Sequence, residues 1–217
     1  GPKGICPVSV IKLKSLFQLL AEKTDAAGKQ AHRKLSLAIM TSPLNHEETL
    51  SFFEQHHFFG LLPDQVSFYP QSLLPFLNQD GNLFLESPQS IAFGPSGNGT
   101  SILDFYRSGI WQKWHQQGIR YVNFLPIDNP LADPFDAELV GFHARHDLDI
   151  AIKCITREDP TERVGILVER EGKAQVIEYT EFPKAEWNAR LADGQFKYPI
   201  ANISLFCFSM DFIQTIG

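Results

Sequence analysis

The sequence predicts an α/β fold: a mixed, mainly parallel sheet with helices on both faces, in a single domain over residues 1–217. Three observations carry that reading. Short apolar runs of strand length alternate with segments of helical period. A Gly-rich loop, Gly94-Pro95-Ser96-Gly97-Asn98-Gly99-Thr100, leads into one of those helical segments. A turn signal at Glu171-Gly172-Lys173 separates two strand-like runs and adds an antiparallel element.

Taken in order, LSLAIM at 35–40 reads as a buried strand that ends at Thr41-Ser42-Pro43. Asn45 or Ser42 then caps a helix through about His57, with Leu50, Phe53 and Phe52 on its apolar face. A second strand spans 66–69. After the Gly-rich loop, residues 101–117 form a helix, with Ile102, Phe105, Tyr106, Ile110 and Trp114 at helical spacing and Gly118 as its stop. Residues 121–127 form a third strand, and a helix follows over about 135–145. Strands at 149–155, 164–170 and 174–179 come next, then a last strand at 202–208 and a helix from Met210. In such sheets ligands bind beyond the C-terminal strand ends. That rule selects Thr41-Ser42, Gln71, Asp128 and the neighbourhood of Asn202.

Composition narrows the partners. Lys and Arg number 19 against 25 Asp and Glu, a net charge of -6, and no basic stripe is present, which excludes a nucleic-acid partner. A small anionic substrate stays compatible, because local lysines and helix N-termini bind phosphate within an acidic protein. The 18 Phe residues are read chiefly as core. Cys6, Cys154 and Cys207 lie far apart, without metal or redox spacing, and read as reduced thiols of a cytoplasmic protein. No apolar run reaches the roughly 18 residues of a membrane span, and the start of the sequence is not read as a signal peptide.

The residues that carry chemistry are few. Lys3, set between Pro2 and Gly4, presents an ammonium to a phosphate or is simply solvated. The two glycines flanking Asn98 let the backbone approach a planar ligand, and Asn98 supplies a donor and an acceptor; the alternative is a plain turn before a helix. Asp128 follows a strand, where a carboxylate holds Mg2+ jointly with substrate phosphates or caps a turn. Glu178 accepts from sugar hydroxyls or lies on the polar face of a strand. Asn202 reads the same sugar or caps a loop. No helix-spaced histidine pair with a Glu between, no G-x-S-x-G elbow and no P-loop occurs, so covalent catalysis and zinc hydrolysis are not indicated.

Read together, GPKG with KSLFQLLAEK, then IMTSPLNHEET, FFEQHHFFGL, VSFYPQSLLP, GPSGNGT, PIDNPLADP, DPTERVGILV, VIEYTE and IANISLF occur in one order. The series resembles the UDP-sugar pyrophosphorylase family along the whole chain. The Gly97-Asn98-Gly99 loop, residues 160–165 and Glu178-Tyr179-Thr180-Glu181 are similar to its UDP-N-acetylhexosamine branch; the glucose branch carries a His where Asn98 stands. Gly1, Pro70, Ser96 and Ala201 depart from the branch pattern. The resemblance implies a Rossmann-like, GT-A-like nucleotidyltransferase core. It implies a reaction of UTP with a sugar 1-phosphate to give UDP-sugar and pyrophosphate, with Mg2+ as cofactor. By it, Gln71 and Gly97 bind uracil, and Asn98, Gly165, Glu178 and Asn202 hold the sugar. Lys3 neutralises phosphate, and Asp128 sits with the metal at the nucleotide phosphates.

The family also carries a Gly-rich loop with an Arg before the Pro-Lys-Gly segment, and further chain after the last helix. The expectation is therefore a fragment of a larger enzyme that turns over weakly alone and associates with itself. Two other functions stay open at this point: a UTP–glucose-1-phosphate uridylyltransferase, and a non-catalytic module that binds UDP-sugar for assembly or regulation.

Overall fold

The computed structural model describes residues 1–217 as a mixed α/β protein that divides into two compact units. The first comprises Gly1–Val122, Ile127–Phe135 and Ser209–Gly217; the second comprises Asn123–Pro126 and Asp136–Phe208.

The first unit begins with a single helical turn at Lys3–Ile5, followed by helix α1, Leu16–Ala31. Ser15 caps α1 by accepting from the Gln18 N–H at 3.1 Å, and His32 ends it in the left-handed conformation. Strand β1, Leu37–Thr41, leads to helix α2, His46–Gln55, and strand β2, Val66–Pro70, returns beside β1. The two strands are parallel, from Leu37 against Val66 to Thr41 against Pro70. Asn45 does not cap α2 with its side chain. Its side-chain Oδ1 instead accepts from the Ser42 N–H at 2.8 Å, which tightens the turn after β1.

Phe17, Ala21, Leu37, Ile39, Phe53, Leu61 and Val66 form the core of this unit. Phe53 is fully buried and meets Phe17, Phe59 and Phe68 at ring-centroid distances of 5.1, 5.4 and 5.1 Å. Tyr69 points to the other face of β2, where its ring meets Phe105 edge-on at 6.0 Å. Helices therefore cover both faces of the β1–β2 pair.

Residues 73–95 hold two small antiparallel ladders that the sequence reading left unassigned. Strand β3, Leu73–Pro75, pairs with β6, Phe93–Pro95, and β4, Leu85–Ser87, pairs with β5, Ser90–Ile91. The expected helix over 101–117 is two helices, α3, Ser101–Arg107, and α4, Ile110–Gln116. Gly109 breaks it with φ 84°, a left-handed value that a side chain would resist. The last helix of the chain, Met210–Ile216, also belongs to this unit; the Trp111 Nε1–H donates to the Met210 carbonyl at 2.9 Å.

Strand β7, Tyr121–Phe124, is shorter than expected and stops ahead of Pro126, which has no N–H for a ladder. Its residues Asn123 and Phe124 enter the second unit. There helix α5, Ala137–Arg145, is capped by Asp136, which accepts from the Glu138 and Leu139 N–H groups and pairs with Lys153. Strands β8, Ile150–Thr156, β9, Gly165–Arg170, β10, Lys173–Ile177, and β11, Ile200–Ser209, follow. The order is β10-β9-β11-β7, with β8 also on β11. The β9–β10 turn sits where the sequence placed it, with Glu171 at φ 54° and Gly172 at φ 72°, the double left-handed turn that suits hairpin twist.

The expected mainly parallel sheet is corrected here. β1–β2 is parallel, whereas β8–β11, β9–β11 and β9–β10 are antiparallel. The cause is connectivity: parallel neighbours need a crossover, and no helix lies between β8 and β11. No helix is long and apolar enough to cross a membrane.

Truncating the centre of the first core tests its role. Phe53→Ala is expected to lower unfolding free energy in urea by about 3–5 kcal/mol, whereas Leu44→Ala, at an 87% exposed residue, changes it by less than about 0.5 kcal/mol.

Candidate functional site

The parallel register sets the ends of β1 and β2 side by side, and the first group of site residues stands there. Gln71 follows β2, and its N–H donates to the Thr41 carbonyl at 2.7 Å. Its side-chain Oε1 accepts from the Gly97 N–H at 2.8 Å, across 26 positions of sequence. Asn98, next in the loop, is exposed, and its own carbonyl accepts from the Ser101 hydroxyl at 2.7 Å. The Gly97 N–H and the Gln71 Oε1 thus form a donor–acceptor pair whose members complete each other. The Gln71 amide nitrogen stays available to donate.

The second group is a pair of opposite charges. The Lys3 ammonium lies 3.1 Å from the Asp128 carboxylate, with side chains 74% and 56% exposed. In water such a pair is worth little as a staple. Its significance is that a cation and an anion, 125 residues apart, stand ready beside one another. The loop behind Asp128 is anchored by Lys23 of α1, whose ammonium donates to the carbonyls of Pro130 at 2.6 Å and Ala132 at 2.7 Å.

The third group lies in the second unit, on the neighbouring strands β10, β9 and β11. Gly165 faces Asn202 across the β9–β11 ladder. Glu178 follows β10, and its carboxylate reaches over Gly165: a methyl group there would stand 3.0 Å from Glu178 Oε1 and 2.7 Å from Val176 Cγ1. Only glycine leaves that space. Asn202 sits at a bulge where the register shifts, and its Oδ1 accepts from the Ser204 N–H at 2.9 Å. Its amide hydrogens remain for a ligand.

Arg157 orders the chain ahead of β11 in the same unit. Its side chain is fully buried, stacked 4.4 Å from the Trp187 ring and 4.2 Å from Phe196, and it donates to the Trp187 carbonyl at 2.6 Å. The Arg157 N–H also bonds the Pro199 carbonyl at 2.7 Å, just ahead of β11.

The eight residues singled out in the sequence therefore fall into three groups: Gln71 with Gly97 and Asn98, Lys3 with Asp128, and Gly165 with Glu178 and Asn202. Lys23, Asp104 and Arg157 escaped the sequence reading. A Lys or Arg between helix or strand residues looks solvated until its partners, more than 30 or 100 residues away, are known. Asp104 alone carried a signal, an acid beside Phe105 on the apolar stripe of a helix.

Burial pushes the Cys207 thiol up to about 11 and raises that of Cys154, and all three cysteines are unpaired. Neither of these two thiols is an activated nucleophile. No three His, Cys, Asp or Glu side chains are grouped to hold a metal without help from a substrate.

The UTP–glucose-1-phosphate uridylyltransferase family (UDPGP) matches residues 1–215. The chain belongs to this family. Among curated relatives, UDP-N-acetylglucosamine diphosphorylase 2 of Arabidopsis thaliana is 33% identical over the whole chain, which spans 46% of that protein. The chain thus covers about half the length of the relatives it matches. The UDP-N-acetylglucosamine pyrophosphorylase of Trypanosoma brucei, solved with an inhibitor, superposes with a TM-score of 0.86 at 31% identity, over 99% of this chain and 44% of that one. The crystal structure of a protein from Entamoeba histolytica described as a UDP-N-acetylglucosamine pyrophosphorylase gives 0.86 at 28% identity, over 99% and 55%. The names of these UDPGP relatives agree with the N-acetylhexosamine branch that the motifs resemble.

Gly165→Ala tests the third group. The added methyl must displace Val176 or Glu178, so a loss of about 1–3 kcal/mol is expected in urea denaturation, with Gly99→Ala, which meets no atom within 4 Å, as the mild control.

Proposed function

We propose that the protein containing this chain is a uridylyltransferase. It would join UTP and an N-acetylhexosamine 1-phosphate to give UDP-N-acetylhexosamine and pyrophosphate, in the cytosol, where its three unpaired thiols stay reduced. The observation that carries the reading is the Gly97 N–H paired with Gln71 Oε1 beyond the strand ends. A uracil imide edge presents a carbonyl acceptor beside an N–H donor. It can take over both halves of that bond, leaving neither protein group unpaired. The names of the relatives support the choice of sugar.

The reaction needs alignment and charge compensation rather than a protein nucleophile. A phosphate oxygen of the sugar 1-phosphate attacks the α-phosphorus of UTP, the new P–O bond forms, and pyrophosphate leaves with the electron pair of the broken bond. Gln71 and Gly97 fix the base. Asn98, Gly165, Glu178 and Asn202 fix the sugar: Glu178 accepts from hydroxyls, Asn202 and Asn98 donate amide hydrogens, and Gly165 leaves the room. Lys3 supplies a mobile positive charge to the phosphates.

Asp128 suits Mg2+, since an exposed single carboxylate, completed by substrate phosphate oxygens, is a common way for proteins to hold that ion. Bound there, Mg2+ would neutralise charge on the phosphates.

Two measurements on the complete protein test this. With N-acetylglucosamine 1-phosphate, kcat/KM is expected to exceed that with glucose 1-phosphate by about 10-fold or more. An equal or reversed preference would point to a glucose enzyme, and no UDP-sugar from either would point to a binding module. Asp128→Asn is expected to lower kcat by about 100-fold while its melting temperature stays close to wild type, since the exposed pair adds at most about 1 kcal/mol. A large loss of stability with full turnover would make Asp128 a turn residue only.

A further inference from the structure

Asp104 lies on α3, buried to 6% exposure, and its carboxylate is the meeting point of the two segments that carry Gln71 and Gly97. One oxygen accepts from the Ser72 N–H at 2.9 Å and from the Thr100 hydroxyl at 2.8 Å; the other accepts from the Ser72 hydroxyl. Ser72 directly follows Gln71. Thr100 closes the loop that starts at Gly97. Around the carboxylate the same segments join again: the Ser96 N–H donates to the Ser72 carbonyl at 3.0 Å, and the Ser96 and Thr100 hydroxyls bond to each other. The Gly97–Gln71 hydrogen bond is the outermost rung of this stack.

A buried carboxylate with no cation paired to it costs desolvation unless its oxygens are filled. Here burial pulls the Asp104 pKa up, and the hydrogen bonds from Ser72 and Thr100, together with the nearby Arg107 charge, outweigh that, so the group is held below the usual carboxylate range. An apolar residue would fill the same place on a helix facing Tyr69 at lower cost. The geometry of the network gives the reason for an acid: two acceptor oxygens tie Ser72 and Thr100 together just beyond the short β3–β6 ladder, which ends at the Leu73–Pro95 pair.

We propose that Asp104 is a positioning residue for uracil recognition, fixing the spacing between the Gln71 side chain and the Gly97 N–H. The inference rests on the uridylyltransferase reading given above. It makes the base-reading pair a device with its own internal support, separate from the residues assigned to the sugar. A side-chain amide should serve almost as well as the acid: its oxygen can accept from the Ser72 N–H and the Thr100 hydroxyl, while its nitrogen donates to the Ser72 hydroxyl.

The test uses the complete protein, steady-state kinetics and calorimetric titration with UTP. Asp104→Ala is expected to raise the KM and the Kd for UTP by about tenfold, to leave the KM for the sugar 1-phosphate within about twofold, and to be rescued by Asp104→Asn. In a Gln71→Ala background the further effect of Asp104→Ala should vanish, because the positioned group is gone. Should Asp104→Ala not fold, the double variant Ser72→Ala with Thr100→Val removes two of the three donors to the Asp104 carboxylate, leaving the Ser72 N–H, and must weaken UTP in the same selective way. The proposal is overturned if UTP affinity stays unchanged in both, or if the KM values for UTP and sugar phosphate rise together. If Gln71→Ala itself leaves UTP affinity intact, the uracil assignment falls, and this inference with it. If Gln71→Ala weakens UTP and the Asp104 variants do not, only this inference falls.

Discussion

Five paired residues, from Leu37 with Val66 to Thr41 with Pro70, determine where the first unit places its chemistry. The pairing is parallel, so both strands end on the same side. The Gln71 N–H then extends the ladder by one more bond, to the Thr41 carbonyl. A slip of one residue would turn the alternate side chains of β1 to the opposite face and remove Leu37 and Ile39 from the core around Phe53. The apolar packing therefore fixes the register, the register fixes Gln71, and Gln71 sets where the Gly97 N–H must lie. On the proposed reading of Gln71 and Gly97, stability and recognition share one constraint.

The second unit solves a similar problem with different means. Its strands are antiparallel, and the group of Gly165, Glu178 and Asn202 arises where three neighbouring strands begin, end or bulge. The Arg157 guanidinium, held between Trp187 and Phe196, braces the long connection from Glu178 to β11 in place of a helix. A cation between two aromatic faces is attracted to both rings, which offsets the lack of hydrogen-bond partners at its Nε and Nη1. The segment from 178 to 199 has little regular structure of its own, so such a brace supplies order that hydrogen-bond ladders do not.

Much of the fold was legible in the sequence where local chemistry decides it. The run LSLAIM, the hairpin at Glu171-Gly172 and the stop at Gly118 each depend on residues close in the chain. The strand pairing was not legible, because the choice between parallel and antiparallel neighbours depends on the whole path of the chain. The break at Gly109 was hidden by the helical spacing that continues through it. The candidate site residues were named through motif resemblance, and the structure places them in three groups. Their supports, Lys23, Asp104 and Arg157, were not found: Lys23 and Arg157 act through partners distant in sequence, and the acid beside Phe105 shows its purpose only once Ser72, 32 residues away, is seen to bond it.

The central claim is that the base is read by Gln71 and Gly97. A crystal structure of the complete protein with UTP measures this most directly. The account predicts the uracil imide edge at hydrogen-bond distance, about 3 Å, from both the Gln71 side chain and the Gly97 N–H, with the bond between those two groups opened. Uracil bound elsewhere, with the Gln71–Gly97 hydrogen bond intact, would contradict it.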